Sequence, residues 1–438
     1  MYACGPTVYR DAHVGNMRTF LLSDLIRRFA ELSGLQVRLV QNITDVGHMA
    51  DDTGLGGVDE GQADTEDRVL LQAQAEKRGA LDVARHYERL FHADLAALNI
   101  KPADAYPRAS ETIELMIELI ATLIERGHAY VGGDGSVFFD AQSFPSYGEI
   151  SGNRLDDLKP GHRFEGETDP AKRFHADWAL WKKAGDTRTQ LVWETPWGRG
   201  YPGWHTECSA MSLHELGTTI DVHTGGIDLR FPHHEDERAQ SNAVAGKDVV
   251  RHWVHAEHLL FEGRKMSKSA GNVVLVADVI ARGHDPLALR LVFLEHRYRQ
   301  QMNLTWDAIA AADGTLARWR SNVAQWATSP SAPMPQDIVD ALLSALNEDL
   351  DTPTVLLTLR RIEKSDDLSP GAKFELFAWI DRVLALDLAR DIGKPQAVAP
   401  EAVSELLTQR AAARAAKDWA ASDALRDAIS ELGWIVTD

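Results

Sequence analysis

Met1-Tyr2-Ala3-Cys4-Gly5-Pro6-Thr7, then His13-Val14-Gly15-Asn16, then the amphipathic stretch Met17 to Leu32, is the segment on which the fold turns. An apolar run, a Gly-Pro turn and a helical pattern in that order read as strand, turn and helix N-terminus. The backbone N–H groups and the dipole at such a terminus favour phosphate. Gly15 lets the backbone approach a ligand closely. The next segment, Val37 to Ile43, is rich in β-branched and apolar residues, as a buried parallel strand should be. Far along the chain, Lys265-Met266-Ser267-Lys268-Ser269 sets two cations in a short string. Taken singly, the two strings also fit an ordinary loop histidine and a lysine-rich surface turn.

The chain has 438 residues, 44% hydrophobic and 25% charged, a globular composition with room for two to four domains. No apolar run of about 18 residues appears, so no membrane span is expected. Met1 leads almost directly into the first strand pattern, so no signal peptide is expected and the expected location is the cytoplasm. A formal net charge of −19 argues against broad, non-specific nucleic-acid binding, though not against a local basic track. Only two cysteines occur, Cys4 and Cys208. In a reducing compartment a structural disulfide is not expected.

Residues 1–60 read as strand, helix, strand, with a Gly- and Asp-rich loop from Asp51 to Glu66. Helical patterns follow at about 67–97 and 109–126, the second ended by Gly127-His128. Residues 129–200 carry short strands, Gly/Pro turns and the tryptophans Trp178, Trp181, Trp193 and Trp197, which suggests an α+β insertion. Parallel-strand patterns return near Thr219–Val222 and Val250–His255. From about 285 the chain reads as helical, punctuated at 330–335 and 393–400. The expected fold is α/β: a Rossmann-like parallel sheet with an α+β insertion, then a helical-bundle C-terminal half. The expected units are a sheet domain in two halves (1–95 and 201–270), a connective insertion (96–200), a region after the lysine string (271–320), a helical bundle (321–395) and a C-terminal region (396–438).

Cys208 lies in Gly203-Trp204-His205-Thr206-Glu207-Cys208, and Pro232-His233-His234-Glu235-Asp236-Glu237 follows. Proline before His233 marks a helix start, and His233 and Glu237 are then i and i+4 on one face. With Cys4 and Cys208 they can make a Cys₂HisGlu site, for which tetrahedral Zn²⁺ is the usual occupant. The spacing equally permits two buried cysteines acting as small hydrophobes beside a solvated helix start.

Longer strings join these motifs. Tyr2 to Tyr9, Asn42-Ile43-Thr44-Asp45, Gly127 to Tyr130, Pro202 to Met211, Gly225 to Leu229, Phe231 to Glu235, Asp349 to Pro353 and Ala415 to Ala420 together resemble the cysteinyl-tRNA synthetase family. The paired strings at 13–16 and 265–269 resemble the signatures of class I aminoacyl-tRNA synthetases. The resemblance covers most of the chain. It implies activation of L-cysteine with ATP and Mg²⁺ to cysteinyl-adenylate plus pyrophosphate, then transfer to the 3′ end of tRNA(Cys) by a monomer. It implies that Cys4, Cys208, His233 and Glu237 hold one Zn²⁺ that takes the substrate thiolate. Serine differs from cysteine by one atom, which an apolar pocket discriminates poorly, whereas a thiophilic ligand discriminates well. It further implies that Thr44, Trp204 and Asp228 surround the amino acid, Asp228 pairing with its ammonium and Trp204 closing over the side chain. His13, Gly15 and Asn16, with Lys265, Met266, Ser267, Lys268 and Ser269, would hold ATP and the departing phosphates. His13, Asn16, Lys265 and Lys268 are the expected catalytic groups.

The chain departs from the family's pattern in several places. The family has a further segment before its first strand and ends somewhat later. Asn16 stands where many class I enzymes have histidine. Val46-Gly47-His48-Met49 replaces an acidic pair, and His48 receives no role. The competing reading is an ATP-dependent cysteine:amino-sugar ligase of the mycothiol-biosynthesis type, which shares both signatures and the zinc site. The resemblance makes 1–95 with 201–270 the catalytic domain, 271–320 a stem-contact region and 396–438 a shortened anticodon-binding region, and this last segment favours the tRNA enzyme. It offers Arg410, Arg414, Lys417 and Arg426 to phosphates, with Trp419 or Trp434 as stacking surfaces or as packing between helices. A binding protein without catalysis is a third reading, opposed by the intact signatures.

Overall fold

The computed structural model of the chain describes residues 1–47, 67–158, 171–266, 271–394, 400–432 and 436. It begins with strand β1 (Tyr2–Ala3), helix α1 (Val14–Leu32) and strand β2 (Val40–Gln41). Helices α2 (Arg68–Glu76), α3 (Ala80–Ala97) and α4 (Ile113–Glu125) follow. Strands β3 (Ala129–Val131), β4 (Val137–Phe139), β5 (Trp178–Lys183), β6 (Trp193–Thr195) and β7 (Gly198–Pro202) form an antiparallel sheet of order β3-β4-β5-β7-β6. The chain then returns through α5 (Trp204–Leu216), β8 (Ile220–Gly226), α6 (His233–Ala245) and β9 (Val250–Ala256).

The central sheet has the order β2-β1-β8-β9, and every neighbouring pair in it is parallel. Adjacent β1 and β8 are separated in sequence by the whole segment that carries the antiparallel sheet. Cys4 and Gly5 leave the C-terminal end of β1, Asn42 to Thr44 leave β2, and Gly225 and Gly226 end β8. In open parallel sheets this edge is where ligands bind.

Two local expectations are corrected. The second strand is shorter than Val37–Ile43, because β1 pairs only Tyr2 with Val40 and Ala3 with Gln41. On its other side, Leu39, Gln41 and Ile43 direct their N–H groups to the loop at Asp104, Ala105 and Pro107. The helical pattern at 67–97 is two helices. Lys77 adopts a left-handed φ of 55° and caps α2, and Gly79 starts α3.

A smaller sheet follows, made of β10 (Leu259–Phe261), β11 (Arg264–Lys265) and, beyond α7 (Val276–Ala281) and α8 (Pro286–Leu294), β12 (Met302–Leu304). β10 lies in its middle, antiparallel to β11 and parallel to β12. The remaining elements are helices: α9 (Trp306–Trp326), α10 (Gln336–Asn347), α11 (Thr352–Lys364), α12 (Pro370–Leu384), α13 (Glu401–Ala415) and α14 (Trp419–Glu431). Trp319 and Trp326 of α9 meet Phe377 of α12 edge to face. Among the described residues no helix is long and apolar enough to cross a membrane.

The first helix is joined to the helical half through a buried ion pair. Arg290 of α8 donates from Nη2 to Asp24 Oδ2 of α1 at 2.6 Å, from Nε to Leu384 O at 2.6 Å and from Nη1 to Leu98 O at 2.9 Å. The side chains of Arg290 and Asp24 are both fully buried.

Candidate active site

The start of α1 is capped by its own histidine. His13 Nδ1 accepts from Gly15 N at 3.1 Å and Asn16 N at 3.3 Å, while Asn16 Oδ1 accepts from His13 N at 3.1 Å. Burial, reinforced by nearby Arg10, lowers the His13 pKa to about 4. The ring is therefore neutral near pH 7. Because Nδ1 accepts from two backbone donors, its proton sits on Nε2, which is left to donate.

The lysine string reaches this helix start from the smaller sheet. Lys265 is exposed on β11, opposite Leu260 of β10. A Cβ on Gly15 would lie 3.0 Å from the His13 ring and 3.1 Å from the Met266 methyl carbon, so glycine permits this close approach. Ser267, Lys268, Ser269 and His48 lie outside the described residues.

The residues expected to surround the amino acid lie around the sheet's edge. Thr44 is buried beyond β2, its Oγ1 accepting from Asn42 Nδ2 at 3.1 Å. Glu207 is buried next to Cys208, and burial pushes its carboxyl pKa well up. Trp204 opens α5, with its ring centroid 4.2 Å from that of His233. Asp228 lies in a short 3-10 helix, Ile227–Arg230, and is exposed, with no cation paired to it among the described residues. A Cβ on Gly226 would lie 2.2 Å from Asp228 Oδ1, so the bare backbone there allows that carboxylate to fold back.

Cys4, Cys208, His233 and Glu237 are all buried, with one ligand atom from each lying within 4.8 Å of the others. Cys4 Sγ is 4.0 Å from Cys208 Sγ and 3.5 Å from Glu237 Oε1. Tetrahedral bonds of about 2.3 Å to sulfur and about 2.0 Å to oxygen would place two sulfurs roughly 3.8 Å apart and sulfur and oxygen roughly 3.5 Å apart. His233 Nε2 and Glu237 Oε1, one helical turn apart on α6, are 2.8 Å from each other. Burial raises the Cys4 thiol and the Glu237 carboxyl, whereas Cys208, also buried, is drawn below its ordinary value by bonds from Cys4 and His233. Two sulfurs and a carboxylate gathered without bulk water suit a dication that neutralises them. The donor set thus fits a zinc-type ion.

Four more histidines were not assigned roles from the sequence. His223 Nε2 and His234 Nε2 lie 3.4 and 3.3 Å from Cys4 Sγ, and His234 Nδ1 is 2.8 Å from His255 Nε2. His205 Nδ1 is 2.7 Å from His233 Nδ1. Burial lowers the pKa of His223 and His234 well below the ordinary value and that of His255 to about 4. Cys4, His223, His234 and Glu237 also gather within 4.8 Å. This set shares Cys4 and Glu237 with the first, so the two compete for one ion. The set with two sulfurs is the softer and the better match to zinc. The signal for these histidines was a histidine in each of two adjacent parallel strands, His223 buried in the inner strand β8 and His255 half-buried in the edge strand β9.

Arg410, offered above to phosphates, is buried and leaves that surface set. Trp419, the first residue of α14, is 58% exposed, with the Arg414 guanidinium 6.0 Å from its ring. Arg426 is paired with Asp423 and Asp427. Trp434 lies outside the described residues.

Comparison with known proteins gives the family. The family described as tRNA synthetases class I (C) catalytic domain matches residues 1–52 and 60–314. The family described as cysteinyl-tRNA ligase anticodon binding domain matches residues 398–438. A relative from Opitutus terrae called cysteine–tRNA ligase is 40% identical, the match covering all of this chain and 92% of the relative. One of the same name from Thermus thermophilus is 41% identical over the same shares. Among solved structures, a Mycobacterium tuberculosis methionyl-tRNA synthetase bound by methionyl-adenylate superposes with a TM-score of 0.60 at 17% identity, covering 88% of this chain and 92% of that one. At that identity the likeness shows the fold alone. On the two family matches and the full-length relatives, the chain belongs to the cysteine–tRNA ligase family of class I aminoacyl-tRNA synthetases.

Proposed function

We infer that this chain activates L-cysteine with ATP and transfers it to the 3′ end of tRNA(Cys). In the first step a cysteine carboxylate oxygen bonds to the α-phosphorus of ATP and pyrophosphate leaves. In the second, a terminal ribose hydroxyl of the tRNA attacks the acyl carbon and AMP leaves. The observation that carries this reading is a buried Cys/Cys/His/Glu cluster at the same sheet edge as the His13-capped start of α1.

His13, neutral with its proton on Nε2, donates to ATP phosphate beside the N–H groups that open α1. Asn16 adds its amide, and Gly15 lets the nucleotide and Met266 approach. To Lys265 and Lys268, with Ser267 and Ser269 of the same string, we assign the departing phosphates, where donors matter most as charge develops. Magnesium accompanies ATP. Asp228 takes the substrate ammonium, Thr44 lines the pocket, and Trp204 packs over the side chain. One Zn²⁺ held by Cys4, Cys208, His233 and Glu237 supplies a thiophilic ligand position that a serine hydroxyl fills poorly.

The proposed units are those read from the sequence: 1–95 with 201–270, 96–200, 271–320, 321–395 and 396–438. The placement of β3 to β6 within the second, with β7 (Gly198–Pro202) crossing its end, and of α13 and α14 within the last supports them. The exposed Trp419 with Arg414, and Lys417 in the turn before α14, form a surface for the far end of the tRNA. We propose that the enzyme acts as a cytoplasmic monomer.

The test is cysteine-dependent ATP–pyrophosphate exchange, followed by charging of tRNA(Cys) and of amino-sugar acceptors. Deleting residues 396–438 should leave exchange nearly intact and sharply weaken tRNA charging. Charging that survives the deletion undiminished, or ligation to an amino sugar in place of tRNA, would overturn the reading.

A further inference from the structure

Two segments far apart in sequence must be held at a fixed separation if both act on one ATP. Arg18 lies just inside α1, beyond the capped start, and is 4% exposed. Its Nη1 donates to Glu257 O at 2.7 Å and His258 O at 3.1 Å. Its Nη2 donates to Arg297 O at 3.1 Å and Gln300 O at 2.7 Å. These four carbonyls belong to the two segments that lead into β10 and β12. The segments are tied to each other by Glu257 N to Tyr298 O at 2.8 Å and Met302 N to His258 O at 3.3 Å. β10 in turn carries β11, with Lys265.

The far side of the lysine string is fastened to the same helix. Val14 N donates to Val274 O at 2.9 Å, and Asn272 Nδ2 donates to Lys265 O at 3.0 Å. The string is thus bracketed: one end rests on the α1 start through Val274, and the sheet below it rests on α1 through Arg18.

Stability alone does not call for an arginine there. Among the described residues no carboxylate hydrogen-bonds it; burial, partly opposed by the nearby charge of Glu257, lowers its pKa to about 10, which still leaves a cation at neutral pH. Burying such a charge against neutral acceptors is a poor way to stabilise a core compared with an apolar side chain. What guanidinium supplies is a planar, rigid fork that reaches two separate segments at once, which the single ammonium of lysine does not reproduce.

We propose that Arg18 is a positioning residue that sets the separation between the phosphate-facing start of α1 and the Lys265 segment, and so acts on adenylate formation rather than on cysteine binding. This rests on the assignment of both segments to ATP made above.

The experiment uses the full-length, zinc-loaded chain with Arg18→Met and Arg18→Lys. In cysteine-dependent pyrophosphate exchange, kcat should fall roughly 100-fold in Arg18→Met, the scale of an ångström-sized misplacement, and by less in Arg18→Lys. The KM for cysteine and the zinc content should not change. Amide hydrogen exchange should rise in 257–266 and 297–304 and stay unchanged in β1 and β8. If Arg18→Met does not fold, Arg18→Lys carries the same measurements. An unchanged kcat in the folded variants would overturn the proposal, as would a KM for cysteine that rises in step with the loss or exchange that rises uniformly. Lys265→Ala serves as the companion. A loss of kcat there beside normal Arg18 variants refutes the clamp alone, whereas a normal Lys265→Ala refutes the ATP assignment and the clamp with it.

Discussion

Replacing Asp24 by asparagine removes one negative charge from the seam between α1 and the helical half. Asp24 Oδ2 accepts from Arg290 Nη2 at 2.6 Å, and Arg28 Nε lies 2.9 Å from both carboxylate oxygens. Oδ1 also accepts from Lys101 N at 3.0 Å. Asparagine keeps the shape but turns one acceptor into an amide that faces a donor. Arg290 is left as a fully buried cation with its carbonyl partners Leu384, Leu98 and Asn99. Breaking a buried pair on one side costs about 3–5 kcal/mol. The surviving carbonyl bonds put this case near the lower end, about 3 kcal/mol, and the half of the network shared with Arg28 adds less than about 1 kcal/mol. That is a large part of a typical total of about 5–15 kcal/mol. In urea unfolding at pH 7, followed by tryptophan fluorescence and far-UV circular dichroism, the midpoint should fall by roughly 1 M for a slope near 3 kcal/mol per molar. The double variant Asp24→Asn with Arg290→Met should regain most of the loss, because it removes the stranded charge as well. A loss below about 1 kcal/mol in Asp24→Asn, or a double variant less stable than the single one, would refute the reasoning.

Two further outcomes are expected. Cys208→Ser should lower zinc content, measured by metal analysis after dialysis, and weaken cysteine activation selectively; retention of one tightly held zinc would move the ion to the set that uses His223 and His234. His13, with a folded pKa of about 4 against an ordinary 6.5, takes up a proton less readily folded than unfolded. Its contribution therefore lowers stability as pH falls from 6.5 towards 4 and vanishes above 6.5. His13→Asn should lose less stability than the parent between pH 7 and pH 5, and equal losses in paired urea titrations would count against a buried neutral ring.

The order strand, turn, helix over residues 1–32 was legible because it rests on short-range physics. A Gly-Pro turn, a capped helix start and a 3.6-residue apolar period are all written within a few neighbouring residues. The pairing of His233 with Glu237 was legible for the same reason, since i and i+4 on a helix face each other wherever the helix lies. The break at Lys77 was not, because a lysine in the left-handed region carries no local signature. The gathering of Cys4 with Cys208 came from family resemblance, as spacing alone left it open. Only the tertiary structure decided that β1 lies between β2 and β8, that His223 and His234 crowd the Cys4 sulfur, and that Arg18 and Arg290 bind backbone carbonyls of distant segments. Every residue carries a carbonyl, so a side chain that seeks carbonyls leaves no pattern in the partner's sequence, and long-range contacts of that kind exist only once the chain has closed on itself.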